Sequence, residues 1–259
     1  MKKLLFTAWV MVIAAVMVVV IATAQTTTNV KQKAHKTMTS KKLKVEIWSD
    51  MVCPFCYIGK RRFEVALNKF SHADDIEVVW HSFQLNPELV VDNEVHQNVY
   101  NYLAKAKGIS YEQSLRMHEG VVNMAKEDGL DYRFDRAVVA NSQNAHRVMQ
   151  MAQKIGLGDK AEELLFRGYF TEGKDLNNVN ILAQIGAEIG LDATAVTKML
   201  QGNDYIEEVR ADMLEASKIG INGVPFFVFD RKYAVSGAQS VDTFIQTLHT
   251  SHASWQMDK

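Results

Sequence analysis

The chain of 259 residues contains only two cysteines, and they stand together as Cys53-Pro54-Phe55-Cys56. A pair that close in sequence cannot staple distant parts of a fold. Proteins held by disulfides spread an even number of cysteines along the chain instead. The fold must therefore rest on an apolar core, for which a 47% hydrophobic composition is ample. The cysteines are left as a site. A net charge of −1, with no basic block interleaved with aromatics, argues against a nucleic-acid partner.

The N-terminus reads as an export segment. Lys2 and Lys3 precede a run from Leu4 to Thr23 without a charge, ending Ala22-Thr23-Ala24 before Gln25. That is the small-x-small pattern of a signal-peptidase site. The run is also about as long as the roughly 20 residues that span a bilayer. Residues 1–24 are thus a cleaved signal peptide or an uncleaved signal anchor, and either places the body outside the cytoplasm, periplasmic or otherwise extracytoplasmic. Residues 25–42 are Thr- and Lys-rich without apolar periodicity, the composition of a flexible spacer.

From residue 43 to about 250 the pattern is that of one domain. Lys44–Ser49 alternates polar with β-branched and aromatic residues and predicts a strand. Pro54–Phe70 predicts a helix, with Phe63, Leu67 and Phe70 on one face. Ile76–Phe83 predicts a second strand, which completes a βαβ unit. Trp80 and Phe83 belong to its core face. From about 95 to 220 only helical patterns occur, six or seven of them. Gly108, Gly129, Gly156, Gly173, Gly190, Gly202 and Gly220 stand where helices end. Ser110 with Gln113 and Asp204 with Glu207 are candidate capping boxes at helix starts. Strand signals return at Phe226–Phe229 and Tyr233–Ser236, and Asp242–His249 predicts a closing helix. The order βαβ, helices, ββα is a thioredoxin fold, of the α/β class, interrupted by an all-helical insertion.

Placement gives the cysteine pair its chemistry. Cys53 falls just after the first strand, at or next to the N-cap of the following helix, and Pro54 takes the first helical position, where its missing N–H costs nothing. The free N–H groups of that turn and the positive end of the helix dipole favour a thiolate at Cys53. Cys56, one turn in, is the resolving partner. Stabilising the thiolate makes the disulfide a stronger oxidant, by about 30 mV for roughly each 1.4 kcal/mol. Zinc would need two further ligands. His249 and His252 have a workable spacing but sit near a tail that reads as exposed, so no metal is expected. Asp50, three residues before Cys53, reads as a solvated loop acid, with a proton relay as the alternative. Lys60, Arg61 and Arg62 read as the exposed face of the helix.

Four motifs carry a family resemblance. Residues 49–60, SDMVCPFCYIGK, resemble the SDxxCPWCYIGK signature of the FrnE-type branch of the DsbA-like thioredoxin superfamily, with Phe55 replacing Trp. Phe83-Gln84-Leu85-Asn86-Pro87 resembles its FQLNP segment, and Asn141 with Ala145-His146-Arg147 its N-x3-AHR helix. Gly223–Phe229 followed by Ser236–Gln239 resembles its GVPFFVF…SGAQ ending. The resemblance implies a cis Val224-Pro225 peptide facing Cys53, and a substrate-binding surface formed by Val224, Pro225 and Phe55. It also implies thiol–disulfide exchange with protein thiols and an unidentified redox partner. The redox-active disulfide would be the sole prosthetic element, with glutathione as an alternative. The superfamily also holds glutathione-dependent isomerases and kappa-type glutathione transferases, which usually carry Ser at the first cysteine position. Cys53 departs from them.

The N-terminal reading is open to measurement. Mass spectrometry of protein from its native envelope is expected to show a chain starting at Gln25, or the full chain in the membrane fraction. Full-length protein soluble in the cytoplasm would overturn export.

Overall fold

Strand β1, Leu43–Ser49, is buried on both faces, and its period-two alternation sorts side chains into two different environments. Leu43, Val45 and Ile47 face the main core, whereas Trp48 belongs to a second, smaller cluster with Ala216, Ile221 and Val228. The computed structural model describes residues 42–91 and 97–259, so the export segment and nearly all of the spacer fall outside the described residues. β1 pairs in parallel with β2, Ile76–Ser82, aligning Val45 with Val78. On its other edge it pairs antiparallel with β3, Phe226–Phe229, aligning Ile47 with Phe227. β4, Tyr233–Ser236, completes the sheet in the order β2-β1-β3-β4.

Helix α1, Pro54–Lys69, links β1 to β2 across the main-core face. There Phe63 meets Phe227 and Phe244 at ring-centroid distances of 5.5 and 5.7 Å. Phe244 lies on the C-terminal helix, which runs Val241–Met257 and so is longer than the pattern to His249 suggests. The extension is driven by Leu248, Ser251, His252 and Trp255, all buried on one face. The tail is packed, and His252 is not exposed.

Between β2 and β3 the described residues form seven helices. These are α2 (Val99–Lys107), α3 (Tyr111–Glu127), α4 (Gln143–Gln153), α5 (Gly158–Phe170), α6 (Val179–Ile189), α7 (Ala193–Gln201) and α8 (Ile206–Lys218); the C-terminal helix is α9. This is the thioredoxin arrangement with a helical insertion that the sequence predicts. Ser110 and Gln113 form a complete capping box. Asp204 and Glu207 do not. Helix α8 starts one residue later, behind Tyr205 in a left-handed conformation. The loop there is held instead by Arg147, whose guanidinium takes the carbonyls of Leu200, Gly202 and Asp204. Gly202 is correspondingly extended rather than left-handed, with φ −96°.

The other face of the sheet carries a polar network under α8. Trp48 stacks on His81 with centroids 4.3 Å apart, and its Nε1 donates to the Asp212 carbonyl. His81 lies 2.7 Å from Asp212 and 3.3 Å from Glu46, while Asp212 also accepts the Ser82 N–H. The Gln153 side chain pairs with both the N–H and the carbonyl of Trp80, covering the edge strand β2 as a further strand would.

Burial opposes charge on His81, but hydrogen bonds to Asp212 and Glu46 outweigh it and push its pKa up to about 9. A folded value above the unfolded one gives stability that is complete below the unfolded pKa and lost as pH rises through 9. Urea unfolding is therefore expected to show wild-type protein losing on the order of 2–3 kcal/mol more than His81→Gln between pH 6.5 and 9.5. The difference between the proteins is the readout, because buried Glu162, pushed by burial to about 8, titrates in both. Parallel pH profiles would show that His81 is uncharged in the fold.

Candidate active site

The first turn of α1 begins where β1 ends. The Asp50 carbonyl accepts the Cys53 N–H at 2.9 Å, and the Cys53 carbonyl accepts the Cys56 N–H at 3.0 Å. Cys53 is the N-cap, its side chain makes no capping bond, and Pro54 opens the helix. The Cys53 sulfur is thereby free to face outward from the turn, and it lies 3.6 Å from the Val224 carbonyl. Both cysteines are free thiols. Their exposures, 4% and 1%, differ little. Their partners differ more, since Cys56 Sγ accepts the Asp50 N–H at 3.5 Å from inside the turn. Burial, then the neighbouring Cys53 sulfur, push the Cys56 thiol well above its ordinary range.

Asp50 is not a solvated loop acid. It is fully buried, and its carboxylate accepts the N–H groups of Val52 at 3.3 Å and Leu85 at 2.8 Å. These bonds tie the cysteine turn to the segment after β2. His146 lies 3.6 Å from the same carboxylate, with Nε2 donating to the Phe83 carbonyl at 3.1 Å. Thus the SD, FQLNP and AHR motifs meet in one buried cluster behind the cysteines. Lys60 also departs from its sequence reading, being 1% exposed. It pairs with Glu64, and with Glu163 and Asp159 of α5, while Arg61 reaches Glu163 at 2.8 Å and Tyr57 donates to Glu163 at 2.7 Å. Arg62 joins Asp128 at 2.8 Å. These charges clamp α1 to the insertion.

The Val224-Pro225 peptide is cis and faces the cysteine turn. Gly59 permits this approach: a Cβ there would sit 2.9 Å from Pro225 Cγ and 3.4 Å from Phe227. The sequence signals this position, because glycine inside a helix costs about 0.5–1 kcal/mol relative to alanine and so marks a close contact. Tyr132, from the insertion, donates to the Pro54 carbonyl at 2.6 Å and fixes the turn from the other side. Nothing in the pattern around Tyr132 marks it in advance.

Phe55 is 40% exposed and stands on the rim of a cavity of about 370 Å³ that opens beside Cys53. Its lining is mostly apolar, with Leu89, Tyr102, Met117 and Val139 contributed by the insertion and the segments flanking it. The site therefore combines a thiol at a helix start, a backbone carbonyl on the opposing loop, and an apolar recess of small-molecule or side-chain size.

Comparison with known proteins places this geometry in context. The family model of the DSBA-like thioredoxin domain matches residues 44–249. A probable DsbA oxidoreductase, SCO1869 from Streptomyces coelicolor, is 38% identical with a TM-score of 0.77, over 82% of this chain and 90% of its own. The uncharacterized protein YwbO of Bacillus subtilis (strain 168) is 24% identical over 77% of this chain and 92% of its length. The cytosolic disulfide reductase DsbM from Pseudomonas aeruginosa, solved with GSH, shares the fold at 19% identity and a TM-score of 0.56, over 82% of this chain and all of that one.

The contact at Gly59 makes the loop's position testable. Gly59→Ala is expected to cost about 1–3 kcal/mol in urea unfolding, as overpacking does, and to slow thiol–disulfide exchange. Wild-type stability and exchange rate would show that the loop need not lie where it does.

Proposed function

The chain belongs to the DsbA-like thioredoxin domain family, and on that footing we propose that it is an exported thiol–disulfide oxidoreductase exchanging a Cys53–Cys56 disulfide with protein thiols, as oxidase or isomerase. The observation that carries this reading is the Cys53 sulfur 3.6 Å from the Val224 carbonyl. An extended substrate segment can pair with the backbone of that loop in a β-like manner, which brings its cysteine onto Cys53. Val224, Pro225 and the Phe55 ring form the substrate surface, and the recess beside them suits an apolar neighbour of the reacting cysteine.

In the oxidising direction a substrate thiolate attacks Cys53 Sγ of the disulfide. A substrate–Cys53 mixed disulfide forms, and Cys56 leaves and takes a proton, which its raised affinity favours. A second substrate thiolate then attacks the substrate sulfur and displaces Cys53. Two electrons have passed from the substrate dithiol to the cysteine pair, and a thiol-oxidising redox partner must remove them to complete a cycle. In isomerisation the Cys53 thiolate of the reduced pair attacks a substrate disulfide and frees one substrate thiolate. A different substrate thiolate then displaces Cys53, so disulfides are exchanged with no net transfer of electrons. No cofactor beyond the disulfide takes part. A second reading, glutathione-dependent chemistry on a small molecule, is favoured by the size of the cavity. The DsbM fold with GSH is in keeping with it.

Trapping and refolding separate the two readings. Cys56→Ser is expected to accumulate mixed disulfides with protein substrates, and Cys53→Ser few. Wild-type protein is expected to accelerate refolding of a reduced disulfide-containing substrate without glutathione. Equal trapping by the two variants would reject the assigned roles, and refolding activity strictly dependent on glutathione would favour the second reading.

A further inference from the structure

We propose that His72, Asp75 and His252 bind a divalent transition-metal ion, zinc by preference, at the end of the sheet remote from the cysteines. The three come from different places in the chain. His72 follows α1, Asp75 ends the short 3-10 turn Ala73–Asp75, and His252 lies on α9. One donor atom from each lies within 4.8 Å of the other two. Two imidazoles and one carboxylate are a donor set that zinc takes, with the remaining position left to water or to a neighbouring side chain.

Part of this arrangement is already fixed by packing. His252 is 7% exposed and sits edge-on to Phe70 and beside Trp255, with ring centroids 5.5 and 5.4 Å away. Its Nε2 points at Asp75 Oδ2, 2.9 Å distant, and the Gln256 side-chain amide lies 3.4 Å from the same nitrogen. His72 stacks on His252 with centroids 4.4 Å apart. Two ligands each about 2.0–2.1 Å from a tetrahedral zinc stand roughly 3.3 Å from one another. The Asp75–His252 pair stands at 2.9 Å and parts slightly to admit an ion, while the exposed His72, stacked on His252, turns its ring to bring a nitrogen in. That exposure also gives an ion its path. Lys259 rests on the Trp255 ring but is exposed, so its side chain can swing away as a cation arrives.

The location separates this site from the redox pair. Asp75 directly precedes Ile76, which pairs with Leu43 at the start of β1, whereas the cysteines follow Ser49 at its end. Seven residues of strand place the two roughly 20 Å apart. A metal here would join α9 to the head of β2 without touching a thiol. His249 packs on Phe70 and supplies no donor to this set.

Reduced cysteine pairs bind zinc themselves, so the test uses the untagged full-length chain carrying Cys53→Ser and Cys56→Ser. Calorimetric titration with zinc chloride is expected to show one equivalent bound and a raised thermal midpoint. His72→Ala and Asp75→Asn are each expected to weaken binding at least tenfold and to abolish the thermal shift. Both changed positions lie outside the core, so these variants keep the fold, whereas His252 is buried against Phe70 and Trp255 and is left unchanged. Cobalt is expected to give the visible spectrum of nitrogen and oxygen coordination. No binding at millimolar zinc, or His72→Ala and Asp75→Asn binding as tightly as their parent, would overturn the site.

Discussion

Helix α1 reaches the loop before β3 only because residue 59 has no side chain. Pro225 Cγ occupies the space a Cβ would need, and Phe227 stands just beyond it. That contact sets the height of the helix over the sheet, and with it the separation of the Cys53 sulfur from the Val224 carbonyl. Everything else in the site is arranged around a helix start held at that point. Phe63 on the same helix continues the contact into the aromatic core with Phe227 and Phe244, so a shift at residue 59 would propagate through close-packed rings.

The insertion grips the same helix from outside, and does so with charge. Lys60 is buried among Glu64, Asp159 and Glu163, and these carboxylates more than offset the burial that would otherwise lower its affinity for a proton. No single partner carries this cluster, because removing one carboxylate still leaves two against the buried ammonium. The neighbouring Glu162 shows the opposite resolution. It is fully buried, its one hydrogen-bond partner among the described residues is Ser49, and burial keeps it protonated to about pH 8. One helix turn thus carries an ionised carboxylate facing α1 and a neutral one facing the sheet.

The strands, the helical block and the cysteine turn are legible in the sequence because each depends on local pattern: alternation, capping, and proline at the first helical position. What pattern misses are residues whose surroundings come from distant segments. Asp50, Lys60 and Arg147 are polar, and burial of a polar side chain is decided by partners that lie far along the chain. For Arg147 the partners are backbone carbonyls at the end of α7, which no side-chain pattern records. The same cause explains the helix start at Ile206, where a loop wrapped on Arg147 replaces the box that Asp204 and Glu207 spell out. The closing helix runs past His249 because Leu248, His252 and Trp255 keep its helical spacing. A histidine on that spacing reads as surface until a buried face is known.

Position, more than exposure, distinguishes the two thiols. Both are almost completely covered, so neither is selected by access to water. Cys53 stands at the end of the helix with its sulfur turned to the opposing loop and the cavity, where a second sulfur can approach. Cys56 stands inside the turn, where it receives a backbone N–H and where burial beside Cys53 disfavours its charged form. A sulfur that meets the partner and a sulfur that holds its proton are the two components a dithiol exchange requires. In this chain they arise from one backbone feature, the proline-opened first turn of α1. The buried Asp50 carboxylate keeps that turn in place through the Val52 and Leu85 N–H groups, so the acid acts on the thiols through the backbone it fixes.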